Sequence, residues 1–145
     1  MNIVVLCVGK LKEQYWVDAA AEYAKRLGKY CAPEIEEIKE SDKNEEGANI
    51  LRRIKKEDYV IALDIAGAET NSEGLAAKIE SLLASGKRVV FIIGGSEGLS
   101  CEVLERAHHR LSFSKMTFPH QLMRVILLEQ IYRGFKIIKN EKYHK

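Results

Sequence analysis

Three short, nearly uninterrupted apolar runs constrain the fold of this chain more than any other feature. They are IVVLCV at 3–8, YVIALDI at 59–65 and VVFII at 89–93. Runs of aliphatic and β-branched residues without polar alternation are typical of strands that are covered on both faces, as in parallel sheets. Helical patterns separate the runs. The sequence therefore predicts an α/β sandwich with a mostly parallel sheet.

The remaining segments are predicted from periodicity and capping residues. Apolar residues at three- and four-residue steps, together with Ser72 and Ser100 as candidate N-caps, predict helices at 12–30, 44–56, 72–84 and 100–109. Two further short strands are predicted at 34–39, as an edge strand, and at 111–113. With 145 residues the chain is expected to form one domain, residues 1–145, with its own core.

The composition excludes few classes of function. A net charge of +2 does not identify a nucleic-acid binder, although residues 119–145 are basic and residues 34–58 net acidic. The basic end fits either an anionic partner or an ordinary solvated face. The opening MNIVVLCVGK has neither a basic region before its apolar run nor a cleavage site after it, and no run approaches membrane-spanning length. A chain without a membrane partner is expected.

The cysteines indicate a reducing compartment. Cys7, Cys31 and Cys101 are odd in number and widely spaced, without a CxxC pair, and no histidine lies at metal-ligand spacing. We therefore expect reduced thiols, no metal and a cytoplasmic location.

A long apolar helix is predicted to begin at Pro119, since proline is favoured at the first helical position, and to run to about residue 139. Its apolar residues surround more than one side, which fits either contact with a second subunit or a helix wedged between a sheet and its neighbours. Arg124 lies on the apolar stripe and needs an anionic or carbonyl partner. That partner is expected to be a carboxylate at a subunit interface or a substrate phosphate.

Ligands of open α/β sheets bind beyond the carboxyl ends of the strands, so the candidate loops are 64–68, 94–99 and 114–118. The glycines of IIGGSEGLS permit close approach of a ligand, but a tight turn accounts for them equally well. Their spacing is neither a dinucleotide fingerprint nor a Walker loop. In SFSKMTF, Lys115 is either a ligand contact or a solvated lysine.

The four histidines differ in how well they suit a functional role. His108 and His109 are predicted at the solvated end of a helix, and His120, in a first helical turn, fits an exposed position. His144 follows Tyr143 in a basic tail, where an aromatic ring and an imidazole would suit stacking on a base and contact with a phosphate. Fraying of a chain terminus is the competing interpretation.

Four blocks carry a resemblance to a known family: VIALDIAG, FIIGGSEGLS, LSFSKMTFPHQLMRVILLEQIYR and the terminal YHK. In this order they closely resemble the bacterial large-subunit ribosomal RNA pseudouridine N3-methyltransferases of the SPOUT class. The resemblance implies a C-terminal deep trefoil knot, an obligate homodimer and S-adenosylmethionine as cofactor. It also implies a pseudouridine in 23S ribosomal RNA of assembled ribosomes as substrate.

Site residues follow from the resemblance, position by position. The implied cofactor residues are Leu63, Gly94, Phe113, Ser114, Lys115, Met116, Thr117 and Phe118. Because N3 of a uracil-like base is a weak nucleophile until it loses its proton, a base or a local positive charge should help. His144, Tyr143 and Arg124 are the candidates, in falling order for proton handling and rising order for anion stabilisation. The YHK tail is expected to complete the site of the other subunit.

Three other functions remain open at this point. The chain fits a SPOUT methyltransferase with another target such as transfer RNA, a regulatory module that binds a nucleotide without turnover, or an accessory protein that only binds RNA. Binding of S-adenosylmethionine would separate the methyltransferases from the last of these.

Overall fold

The computed structural model describes residues 2–145. Its strands are β1 (Ile3–Val8), β2 (Glu34–Ile38), β3 (Tyr59–Glu69), β4 (Val89–Ile93) and β5 (His109–Ser112). Its helices are α1 (Gln14–Leu27), α2 (Lys43–Arg52), α3 (Ser72–Ala84), α4 (Cys101–Arg106) and α5 (His120–Ile138). Within these residues the strands form one sheet in the order β2-β1-β4-β3-β5, and every pairing is parallel. The predicted parallel α/β architecture is therefore confirmed, with β2 at an edge.

The sheet has a hydrophobic core on each of its two faces, which explains why its inner strands are apolar throughout. Alternate residues of β1 point to opposite faces: Ile3, Val5 and Cys7 join one core, and the residues between them join the other. The first core is closed by α1, α3 and α5, and the second by α2 and α4. Because both faces are covered, no position of β1 or β4 is left for a polar residue.

The helix α5 lies between α1 and α3, against the sheet. Its middle is buried by the chain itself at Leu127, Leu128, Ile131, Tyr132 and Phe135. The wedged arrangement, one of the two alternatives for an unusually apolar helix, therefore accounts for this stripe. Pro119 precedes the helix as its N-cap residue. No helix within residues 2–145 has the length and apolarity that crossing a bilayer requires.

The two predicted serine caps have different outcomes. The Ser100 hydroxyl accepts a hydrogen bond from the Val103 N–H at 3.3 Å, so this cap is confirmed. The Ser72 prediction was wrong by one residue: Asn71 caps α3, its side-chain oxygen accepting from the Gly74 N–H at 2.8 Å. Since Asn71 takes that role, the Ser72 hydroxyl is free to donate to another side chain.

The predicted end of α4 was also wrong. The helix stops at Arg106 because the following residues pair with β3, where His109 lies opposite Ile61. His108 lies beyond the helix and is exposed, as predicted, but its Nδ1 accepts from the Val60 N–H at 3.0 Å. Burial, and then the nearby Arg106, lower the pKa of His108. Tertiary pairing therefore overrides the local helical pattern.

Residues 64–68 were expected to be a loop but belong to β3. The pairing with β5 shifts here, since Leu111 lies opposite both Leu63 and Ala68. A Cβ on Gly67 would lie 2.5 Å from the Arg110 carbonyl oxygen, so only glycine lets the two backbones approach this closely. The irregular strand still reaches the expected edge of the sheet.

Candidate active site

A cavity of about 420 Å³ opens at the carboxyl end of the sheet. Its walls come from the irregular part of β3, the turn after β4, the β5–α5 connection and the start of α5. This is the edge at which the parallel sheet predicts ligand binding. The size lies within the roughly 300–1,000 Å³ that small-molecule sites occupy.

Most of the residues implied as cofactor contacts line this cavity. Seven of the eight do so: Leu63, Gly94, Phe113, Ser114, Met116, Thr117 and Phe118. Lys115 is exposed and is not among the lining residues. Met116 and Ile65 place apolar side chains at the mouth, with 73% and 49% of their surface exposed. The structure thus brings together residues from three separate segments of the chain.

The glycine turn after β4 is shaped by its own backbone. A Cβ on Gly94 would lie 2.9 Å from both the carbonyl carbon and oxygen of Gly98, and Gly98 itself has a φ of +77°. A side chain at either position would force the turn to change. The tight-turn interpretation of these glycines therefore applies, and the same turn forms a wall of the cavity.

Polar lining residues include some that sequence reasoning did not single out. Asp64 and Glu97 bring carboxylates to the cavity, and the Asp64 Oδ1 accepts from the Ala66 N–H at 3.1 Å. Because the described lining residues include these two carboxylates and no lysine or arginine, the cavity favours a positively charged ligand. The sequence indicated these two residues only because they lie in segments predicted to form the edge of the sheet where ligands bind.

His120 also lines the cavity, at the first turn of α5. Its Nε2 is buried and makes no hydrogen bond within residues 2–145, and the nearest carboxylate oxygen, Oε1 of Glu40, is 3.8 Å away. The His120 side chain is 26% exposed, so the ring is partly covered rather than fully solvated.

Arg124 lies one turn further along α5 and is only 3% exposed. Its Nη1 donates to the Glu37 Oε2 at 2.6 Å and its Nη2 to the Gly9 carbonyl oxygen at 2.9 Å. The guanidinium thus has both an anionic and a carbonyl partner, as its position required. Both belong to the same chain rather than to an interface or a substrate. Arg124 ties the start of α5 to the ends of β1 and β2 and does not line the cavity.

The C-terminal tail folds back against the middle and the C-terminal half of α5. The Tyr143 hydroxyl donates to the Glu129 Oε2 at 2.8 Å, and its ring meets the edge of Tyr132 at 5.0 Å between centroids. Burial, and then the bond to Glu129, raise the pKa of Tyr143 to about 12. Arg133 forms an ion pair with Glu129 at 3.1 Å, so the carboxylate holds both the helix and the tail.

His144 is held at both ring nitrogens. Nη1 of Arg133 lies 3.1 Å from Nδ1, and Oε1 of Glu73 lies 2.7 Å from Nε2. Because a guanidinium only donates, Nδ1 accepts and the ring proton sits on Nε2, which donates to Glu73. The bond to His144 lowers the pKa of the Glu73 carboxyl. Neither ring nitrogen is free in this arrangement.

None of the three cysteines lines the cavity. Cys7, Cys31 and Cys101 are free, and burial raises the pKa of Cys7 and of Cys31 to about 11. Cys101 is exposed at the start of α4. Among the described residues no group of three or more His, Cys, Asp or Glu side chains is arranged to hold a metal ion.

Comparison with known proteins assigns the family. A family model described as "Predicted SPOUT methyltransferase" matches residues 1–144. The chain belongs to the SPOUT methyltransferase family. It is 52% identical to Ribosomal RNA large subunit methyltransferase H of Clostridium beijerinckii, and 54% identical to the protein of that name from Clostridium novyi. Both alignments cover 100% of this chain and 100% of the relative.

Solved structures agree at the level of the fold. A probable methylase family protein from Haemophilus influenzae Rd KW20 superposes with a TM-score of 0.54 at 13% identity, over 96% of this chain and 66% of that one. A TrmH/SpoU tRNA modifying enzyme from A. aeolicus gives a TM-score of 0.51 at 13% identity, over 97% of this chain and 78% of that one. These similarities support a SPOUT-type α/β fold.

In this SPOUT chain the implied cofactor residues converge, but the three candidate catalytic residues do not. Arg124 is buried beside the cavity, whereas Tyr143 and His144 lie near the far end of α5. None of the three lines the cavity. Within one chain the tail and the cavity remain separate.

Proposed function

We propose that this chain is an S-adenosylmethionine-dependent methyltransferase that modifies N3 of a pseudouridine in 23S ribosomal RNA of the assembled ribosome. The observation that carries the proposal is full-length identity above 50% to two proteins named Ribosomal RNA large subunit methyltransferase H. The cavity supports it, because its walls include the blocks on which the sequence resemblance rests.

The residues of the cavity fit the cofactor. The sulfonium and ammonium groups of S-adenosylmethionine are positively charged and suit the carboxylates of Asp64 and Glu97. The adenine ring of the cofactor suits the apolar walls formed by Phe113 and Phe118. When bound, S-adenosylmethionine supplies a methyl group on a positively charged sulfur. We assign binding to the seven lining residues of the implied set, and to Lys115 as an exposed contact at the mouth.

The protein's own part is to position the reactants and exclude water, because methyl transfer is an in-line displacement. His144 is the first candidate to accept the N3 proton, but it must first release Arg133, which occupies Nδ1, the ring nitrogen without a proton. Tyr143 stays a neutral hydrogen-bond donor at physiological pH, given its raised pKa. Arg124, already bound within the chain, holds the first turn of α5 in place.

Two copies of the chain would form the working enzyme. Tyr15 and Val17, on α1 beside α5, are 62% and 38% exposed, and burying them against a second copy would support a homodimer contact. A second copy would also bring its tail to a cavity that lacks one. We further propose that residues 1–145 act as one cytoplasmic domain, free of metal and membrane, and that its C-terminal part forms the trefoil knot implied by the family resemblance.

The test is to incubate the protein with methyl-labelled S-adenosylmethionine and either ribosomes or transfer RNA. Label is expected in 23S ribosomal RNA and at N3 of a pseudouridine after digestion. Label in transfer RNA alone would favour the second SPOUT activity, and no binding of the cofactor by calorimetry would exclude both.

The role of the tail is tested by His144→Ala and by removal of residues 143–145. Each change should slow methylation roughly a hundredfold, the usual contribution of a positioned acid or base, without changing cofactor affinity. Full rates in both variants would mean that the tail has no catalytic role.

A further inference from the structure

A second cavity, of about 290 Å³, adjoins the first and shares two aromatic side chains with it. Phe113 and Phe118 are shared by both cavities. The rest of the second cavity is built by the start of α3, the end of β5 and the middle of α5. A ligand here would therefore adjoin the occupant of the cofactor cavity.

The chemistry of this second cavity suits a neutral, flat heterocycle. Its walls include the hydroxyls of Thr70, Ser72 and Ser112 and the amide of Gln130, with Ile126 on the apolar side. No charged side chain is among the described lining residues. A phosphate or an ammonium group would lose its hydration there without an opposite charge. A base with donors and acceptors on its edge would find both partners, and aromatic rings to stack on.

Hydrogen bonds join this cavity to the C-terminal tail. The Ser72 hydroxyl donates to the Gln130 Oε1 at 2.7 Å, and the Gln130 Nε2 donates to the Glu129 Oε1 at 3.0 Å. The other oxygen of Glu129 accepts from the Tyr143 hydroxyl. The wall of the cavity and the tail thus share one carboxylate. Whatever occupies the cavity touches a network that also holds the tail.

We propose that the second cavity receives the uracil-type base that is methylated, an inference that rests on the proposed function. The base would lie between the hydroxyls of the α3 start and the shared phenylalanines, with its N3 directed at the cofactor cavity. In the transfer, N3 releases its proton to a base, for which His144 is the first candidate, and forms a bond to the methyl carbon. The electron pair of the broken carbon–sulfur bond stays on sulfur, which becomes a neutral thioether.

The test uses nucleoside binding, which does not depend on finding the right RNA. Protein labelled at isoleucine methyl groups and saturated with S-adenosylhomocysteine is titrated with pseudouridine and followed by NMR. The Ile126 methyl should shift saturably, whereas Ile137, on the same helix but lining neither cavity, should not. An unshifted Ile126 at the solubility limit, or shifts confined to Ile65 at the mouth of the first cavity, would overturn the assignment.

Two filling variants, Ile126→Phe and Thr70→Phe, should abolish the response to pseudouridine and leave S-adenosylhomocysteine affinity unchanged. Thr70 is an exposed residue, so its variant keeps the test usable if the helix variant does not fold. Both should slow ribosome methylation at least tenfold, and the matched control Ile137→Phe by less than twofold. Unchanged methylation in both filling variants would reject the assignment. Pseudouridine binding by a wild-type protein that labels no RNA would support the cavity and reject the proposed function.

Discussion

The two ends of α5 are held in opposite ways. At the N-terminal end Arg124 is almost fully buried and bonded to Glu37 and to the Gly9 carbonyl. The tail is held by the partly buried ring of Tyr143 and by polar contacts nearer the surface, where the Glu73 and His144 side chains are 60% and 26% exposed. One helix thus joins a firmly anchored site to a lightly held one.

This difference has an energetic meaning. Breaking a buried ion pair by removing one partner typically costs about 3–5 kcal/mol, whereas an exposed pair contributes about 0–1 kcal/mol. The first cavity, beside Arg124 and proposed to bind the cofactor, is therefore preorganised. The tail can leave its contacts at lower cost, which suits its proposed role in meeting an RNA.

The largest effect is expected from Arg124→Ala. It removes the partner of Glu37 and leaves the Gly9 carbonyl without its donor, so the free energy of unfolding should fall by about 2–3 kcal/mol. This expected loss in the free energy of unfolding is smaller than that for a fully buried ion pair, because the Glu37 side chain is 39% exposed. Urea denaturation measures it. Glu73→Ala, which removes the exposed partner of His144 at the tail, should leave the denaturation midpoint almost unchanged; equal losses in the two variants would abolish the distinction between the two sites.

A smaller effect is expected at the anchored site from Gly94→Ala. The new methyl group would meet the Gly98 backbone at 2.9 Å, so the turn must move and affinity for S-adenosylmethionine should fall at least tenfold in calorimetry. The matched control is Gly134→Ala in α5, where a Cβ meets Ala76 at an ordinary 3.6–3.8 Å. That variant should keep its affinity and gain up to about 1 kcal/mol of stability, the usual helix preference for alanine. Unchanged affinity in both would mean that the turn does not shape the site.

The smallest effect concerns the tail and pH. The pKa of Tyr143 is raised to about 12, so folding favours the protonated phenol. Its contribution to tail docking is complete below the unfolded value near 10 and is lost as pH rises through 12. An ultraviolet titration of the wild type minus that of Tyr143→Phe should show one phenol titrating near 12. A difference titrating near 10 would mean that the tail is already detached.

Much of the fold could be predicted because the strands carry their signal locally. The runs at β1, β3 and β4 are apolar on both faces, and few structures besides a doubly covered parallel strand produce that pattern. The α3 cap was missed because Asn71 and Ser72 are both able capping residues and only the backbone decides between them. The end of α4 was missed because pairing with β3, some 48 residues away, draws His108 out of the helix.

The site was predictable to a lesser degree. The rim of the sheet and the family resemblance indicated most of the lining residues, since both depend on sequence blocks. The partners of Arg124 lie 87 and 115 residues away, and no periodicity connects them. The second cavity combines residues of the block at 111–133 with Thr70, Asn71, Ser72 and Leu75, which belong to none of the motif blocks. Such sites exist only after the chain has folded.

The placement of the three cysteines has a practical consequence. Cys7 and Cys31 are buried with pKa values of about 11, whereas Cys101 is exposed next to the glycine turn. A maleimide dye or nitroxide should therefore attach at Cys101 alone in the unaltered protein. The natural chain thus carries a single labelling position beside the cofactor cavity, from which fluorescence or spin resonance would report ligand occupancy without any engineered residue.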